Sequence, residues 1–220
     1  MRAPTRCKLL SHALAHPPCS TPDFIKPSLR CHTAATPTGH SVHMKLLNAM
    51  HRLDLHLLAR IFSQGERRMV RPLARAVSRS GDGYLQALVP LLLWLLAAPG
   101  SLGFATALAT ALIAERSLYW SLKNSLKRPR PQVAVPGFRS LITASDQFSF
   151  PSGHTSAAFL LATLLTLFYG GPFVVVFVWA CGVALSRILL GVHFPGDTVA
   201  GALMGAGIAL ATVQLTGLPA

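Results

Sequence analysis

The sequence predicts an all-α fold, a polytopic helical bundle with five to six helices crossing or lying in a membrane, and three observations lead there. Between residues 84 and 215 stand apolar segments of helical length separated by Gly- and Pro-containing turns. Charge is excluded from them: from Gln147 to the C-terminus, Arg187 and Asp197 are the only formally charged residues. Finally, 51% of the 220 residues are hydrophobic and 12% charged, yet the formal net charge is +13. That balance describes apolar segments with basic flanks. A nucleic-acid binder would spread Lys and Arg over a soluble surface, so no nucleic-acid partner is expected.

Residues 1–43 are rich in Pro, Ser, Thr, His and Arg and lack apolar periodicity. Such a composition buries too little surface to offset the entropy of ordering, so a disordered leader is expected. It reads either as an organellar transit segment or as sequence upstream of a true start at Met44 or Met50; a secretory signal fits poorly without a continuous apolar run. Residues 44–220 form the membrane-embedded domain. Leu46, Leu47, Met50, Leu53, Leu57, Leu58, Ile61 and Phe62 have helical spacing with charges between them. After Gly65 a second amphipathic piece carries Arg67, Arg68, Arg71, Arg75 and Arg79. Both are expected to lie at the interface, arginine heads reaching phosphates or water. Ser80-Gly81-Asp82-Gly83 then breaks the helix.

Tyr84–Ala98 and Leu102–Ala114 form a helical hairpin about Pro99-Gly100-Ser101. Each is shorter than the roughly 20 residues of a full crossing. The second is therefore expected to continue through Tyr119, Trp120 and Lys123, the two aromatics acting as interfacial anchors. Glu115 and Arg116 read as a structural ion pair. Pro129, Pro131 and Pro136 stop the helix. Three apolar segments complete the chain: Thr155–Tyr169, Pro172–Leu185 and Thr198–Leu215, the last with Gly201 and Gly205 at small-xxx-small spacing. Cys7, Cys19, Cys31 and Cys181 show no paired metal-ligand spacing, and no metal or other cofactor is expected.

Following the hairpins places three polar stretches on one membrane face: Lys123 to Pro131, Pro151 to His154, and Ser186 to Asp197. Ionisable groups inside apolar segments are costly and mark function. Singly, Asp197 passes for a helix cap, His154 for a helix-terminal histidine and Arg187 for a snorkelling side chain. Together they gather Lys123, Arg130, Arg187, His154, His193 and Asp197 at one mouth of the bundle. Guanidinium forks match phosphate oxygens. Ser152 and Gly153 stand where a helix start offers backbone amides to an anion. Two histidines permit a nucleophile and a general acid, and Asp197, four residues after His193, is within reach of its ring.

Lys123-x6-Arg130-Pro131, Pro151-Ser152-Gly153-His154 and Ser186-Arg187-x5-His193-x3-Asp197 together resemble the three-part signature of the type 2 phosphatidate phosphatase and vanadium haloperoxidase superfamily. The resemblance covers roughly residues 50 to 215. It implies that His193 attacks phosphorus, that Asp197 orients it and that His154 protonates the leaving oxygen. Lys123, Arg130, Arg187, Ser152 and Gly153 then bind the phosphoryl oxygens, with no metal. The implied activity is that of an integral membrane lipid phosphatase acting on an isoprenyl diphosphate, phosphatidate or phosphatidylglycerol phosphate. Transfer of the phosphoryl group to a second lipid and non-catalytic phospholipid binding or transport are the alternatives. The resemblance puts the site on the extracytoplasmic side of a bacterial inner membrane, whereas the basic flanks point to the opposite face by the positive-inside tendency. Nothing in the sequence sets an oligomeric state.

Overall fold

A computed structural model describes residues 41–144 and 146–217, with the backbone alone for residues 41–50. The expected leader falls almost wholly outside these residues. All regular structure among them is helical: α1 Ser41–Gly65, α2 Val70–Ser80, α3 Tyr84–Leu95, α4 Ser101–Leu126, α5 Pro131–Ala134, α6 Gly153–Tyr169, α7 Val176–Leu189 and α8 Pro195–Thr216. A short 3-10 turn, Gly171–Val175, leads into α7.

The packing follows the distribution of small and branched side chains. Phe104, Ala107, Leu108 and Ala111 of α4, Leu160, Leu161, Leu164 and Leu165 of α6, and Ala209 of α8 form the main buried core. Its tightest seam is α6 against α8. A Cβ at Gly201 would meet the Ser152 carbonyl oxygen at 2.5 Å, and one at Gly205 the Ser156 carbonyl oxygen at 2.0 Å. The small-xxx-small spacing thus brings two backbones together. Outside this core, Leu88, Leu92, Leu95, Ile113, Val178, Leu203 and Leu210 are exposed, an outward apolar surface suited to hydrocarbon. Gly171–Leu189 and Pro195–Thr216 are long and apolar enough to cross a bilayer, with mean hydropathies of 2.0 and 1.6. At 12 residues, α3 extends about 18 Å, whereas α4 runs 26 residues and carries its hairpin past Glu115 and Lys123, as expected.

Three details depart from or sharpen the sequence reading. Helix α4 ends at Leu126, before any proline, with Lys127 in the left-handed region at φ 46°. Pro129 sits in a bridge with Phe148, and Pro131 opens α5, where its missing N–H costs nothing. The two amphipathic helices are also held by the bundle. Leu58 of α1 is buried with Ile188 and Phe194, and Ala74 of α2 with Leu190 and Val192. One arginine expected to reach lipid or water, Arg75, instead donates to the Leu141 carbonyl at 2.9 Å.

Helices α4 and α7 end where α6 and α8 begin, and α6 and α8 pack on each other and on both α4 and α7. Their polar termini therefore share one end of the bundle.

Candidate active site

Backbone and side-chain ties join the three polar stretches directly. The Ser152 amide donates to the Asp197 carbonyl at 3.0 Å, locking the start of α6 to the start of α8. Arg130 reaches the loop between α7 and α8, its Nη1 donating to the Val192 carbonyl at 2.6 Å and standing 3.5 Å from His193 Nε2. Lys123, Arg130, Arg187, Ser152, His193 and Asp197 are all buried. Such burial of charge is tolerated only with partners.

For Lys123 and Arg130 the partner is Asp146, in the loop before α6. Lys123 Nζ donates to its Oδ2 at 2.8 Å, Tyr119 Oη donates to the same oxygen at 2.7 Å, and Arg130 Nη2 donates to Oδ1. Arg130 Nε adds a bond to the Asp146 carbonyl at 2.9 Å. Tyr119 lies four residues before Lys123 on the same face of α4, within 2.5 Å of its ammonium. Burial alone would push the Asp146 carboxyl up, but the donors from Lys123, Tyr119 and Arg130 outweigh it and hold the group at about 2. A carboxylate thus occupies the cations expected for a phosphoryl group.

His193 lies in the turn before α8. An arginine N–H only donates, so Nε2 faces Arg130 with its lone pair and the ring proton belongs on Nδ1. Nδ1 points to Asp197 Oδ2 at 3.7 Å, beyond hydrogen-bond reach, and is otherwise unpartnered. Asp197 therefore acts on this ring as a nearby charge. Its oxygens accept from the Phe194 amide at 2.8 Å and from Arg128 Nη1 at 2.7 Å, so the helix-cap role and the role beside His193 coexist. Arg128 also pairs with Asp54 of α1 at 2.6 Å, and Asp54 accepts from the Gly196 amide at 2.7 Å. Burial pushes His193 down to about 4; the Asp197 carboxylate opposes this and the Arg187 guanidinium adds to it. The ring is neutral at physiological pH.

At the start of α6, Ser152 departs from the expected role. Its amide is taken by Asp197 and its hydroxyl lies 3.0 Å from Thr155 Oγ1, so backbone donation to an anion falls to the free first-turn amides that begin at Gly153. Gly153 has no room for a side chain, since a Cβ would meet Tyr119 Cε2 at 2.9 Å. His154 Nε2 lies 2.6 Å from Asp82 Oδ1. Arg187 Nη1 donates to Ser78 Oγ at 2.6 Å, while its buried Nε is unpartnered and available to an anion. His154, Arg187, Arg75, Ser78, Arg79 and Asp82 line a cavity of about 460 Å3, closed on its apolar side by Leu141, Ile142 and Leu190. Glu115 and Arg116 form the anticipated pair at 2.5 Å, outside this network of bonds.

The sequence reading missed Asp54, Asp82, Arg128 and Asp146. One signal was present. The chain has 7 acidic residues, and Asp54, Asp82, Asp146 and Asp197 all bond to the cations, histidines or turns of this site. In so basic a chain each carboxylate was a candidate partner.

The arrangement is a helical bundle with an apolar outer surface and a buried, cation-rich cluster at one end. Residues 94–218 match the PAP2 superfamily. Decaprenylphosphoryl-5-phosphoribose phosphatase of Mycobacterium tuberculosis is 32% identical over 133 residues, 60% of this chain and 73% of the relative. The crystal structure of Aquifex aeolicus LpxE superposes with a TM-score of 0.63 at 30% identity, covering 74% of this chain and 95% of that one. A transmembrane PAP2-type phosphatidylglycerolphosphate phosphatase from Bacillus subtilis superposes with a TM-score of 0.61 at 21% identity, over 77% and 87% of the two chains, which bears on fold alone. The chain belongs to the PAP2 superfamily and is one of its membrane phosphatases.

Proposed function

We propose that the protein hydrolyses the terminal phosphate of a lipid phosphate or diphosphate through a phosphohistidine on His193. The observation that carries this is the ring of His193, whose Nε2 lone pair faces Arg130 at 3.5 Å while its Nδ1 faces Asp197. Nε2 attacks phosphorus, and the bond to the leaving oxygen breaks as His154 delivers a proton to that oxygen. Asp197 offsets the positive charge that the phosphorylated ring acquires. As the substrate displaces the Asp146 carboxylate, Lys123 and Arg130 join Arg187 and the Gly153 amide in balancing the phosphoryl oxygens, while Ser152 holds the α6 start in register. In the second half, water attacks phosphorus, His154 accepts its proton, and the electron pair of the breaking P–N bond returns to Nε2. The protein groups supply all of this charge compensation, so the reaction needs no metal.

The substrate reading rests on the apolar outer surface beside a buried phosphate site, which suits a head group whose tails stay in hydrocarbon. Isoprenyl diphosphates, phosphatidate and phosphatidylglycerol phosphate share that form. The location proposed is a bacterial inner membrane with the site on the extracytoplasmic side. Phosphate release from a panel of these lipids, in detergent with EDTA present, tests the reading. Release by the native chain and its loss in His193→Ala support it. A metal requirement, or activity surviving that substitution, would sink it, and label arriving on a second lipid instead of in free phosphate would make the enzyme a transferase.

A further inference from the structure

The turn joining α2 to α3 carries Asp82, and it is fixed in place from α7. Gly81 packs on Val183, where a Cβ would meet Cγ1 at 2.9 Å, and Gly83 takes φ 103°. Ser80 Oγ donates to the Val77 carbonyl at 2.7 Å and accepts from Trp179 Nε1 at 2.8 Å. From this anchored turn the Asp82 carboxylate reaches across to His154 Nε2, 72 residues away in sequence, at 2.6 Å.

That contact bears on what His154 has to do. A general acid needs the imidazolium, with an N–H on each nitrogen. The surroundings oppose that charge: burial does so most, Arg187 on α7 and Arg116 on α4 add repulsion, and Arg75 and Arg79 of α2 line the same cavity. Asp82 is the carboxylate that hydrogen-bonds the ring. It engages Nε2, which leaves Nδ1 as the nitrogen available to substrate.

We propose that Asp82 is a positioning residue for the leaving-group step, holding His154 by Nε2, stabilising its imidazolium among the guanidinium groups and presenting Nδ1–H to the leaving oxygen. The proposal rests on the reading of His193 as nucleophile and His154 as acid. As the bond from phosphorus to the leaving oxygen breaks and the bond to His193 Nε2 forms, the Nδ1 proton passes to that oxygen, giving the free alcohol from a monoester or the lipid monophosphate from a diphosphate. Asp82 stays ionised throughout and keeps its bond to Nε2–H. His154 is then neutral and ready to take a proton from water.

The test compares an alkyl lipid phosphate, whose leaving oxygen needs a proton, with p-nitrophenyl phosphate, whose leaving group departs without one. The purified full chain is assayed as the native protein, Asp82→Asn, Asp82→Glu, His154→Ala and the Asp82→Asn/His154→Ala double variant. General acid catalysis contributes about 100- to 10,000-fold. Asp82→Asn is expected to lose roughly 10- to 100-fold in kcat/KM on the lipid and less than about threefold on the aryl ester, since an orienting group supplies part of that factor. Asp82→Glu should recover part of the loss, and the double variant should be no worse on the lipid than His154→Ala alone. Equal losses on both substrates would make Asp82 merely structural, and no loss on the lipid would remove its role; either result overturns the proposal. A His193→Ala control separates the levels: activity retained there on the aryl ester refutes the nucleophile assignment itself.

Discussion

Replacing Asp197 by Asn removes one charge with almost no change of shape. The carboxylate stands 3.7 Å from His193 Nδ1. At an effective dielectric constant of about 20, a unit charge at that distance favours a cationic ring by roughly 4 kcal/mol. Arg128, 2.7 Å from the other oxygen, offsets part of this, so about 2–3 kcal/mol is left to stabilise the phosphorylated ring. That corresponds to a loss of roughly 30- to 150-fold in kcat/KM. An asparagine carbonyl still accepts from the Phe194 amide, so the start of α8 persists. Steady-state phosphate release gives the kinetic loss, and a melting curve in detergent gives the structural one. A loss below about threefold in a variant that melts like the native protein would refute the electrostatic argument.

Further expectations follow from the same network. His193 is held near 4, so its protonation should impose an acid limb on kcat/KM near pH 4 and not near the ordinary 6.5. The unfolded ring binds a proton through the window from about 6.5 to 4 while the native ring does not, so stability should fall as pH drops across it. Asp146→Asn frees Lys123 and Arg130 from a competing carboxylate, and inhibition by inorganic phosphate or orthovanadate should tighten about tenfold, within the range one nearby charge commands; weaker inhibition would show that Asp146 instead builds the cradle. Gly205→Ala puts a Cβ at 2.0 Å from the Ser156 carbonyl oxygen. Overpacking there should cost roughly 1–3 kcal/mol and lower the melting temperature, and an unchanged melting curve would contradict the close α6–α8 seam.

The fold was legible because apolar segments, Gly/Pro turns and the confinement of charge all point to the same bundle. Gly201 and Gly205 announced a close helix contact through spacing, although only the structure names α6 as the partner. The candidate site was legible wherever a charge stood inside an apolar segment, as Arg187 and Asp197 do. It was illegible where the partner lay in a loop or on an amphipathic helix. Asp146 sits among polar neighbours that hide it, Asp54 resembles any charge on an exposed face, and Asp82 reads as part of a Gly-rich break. Their meaning depends on contacts 23, 74 and 72 residues away in sequence, which local pattern does not encode. Ser152 shows the converse: its place at a helix start suggested an anion-binding amide, but Asp197 takes that amide because α6 and α8 begin side by side.

In the proposed reaction the phosphoryl group passes to His193 Nε2. Incubating the detergent-purified chain with a lipid labelled with radioactive phosphorus in its terminal phosphate, denaturing it at alkaline pH and mapping the label tests this most directly. A base-stable, acid-labile label is expected on the peptide containing His193 and is expected to be absent in His193→Ala. A native enzyme that turns over with label on another residue, or with none trapped from labelled p-nitrophenyl phosphate when His154→Ala slows the second step, would contradict it.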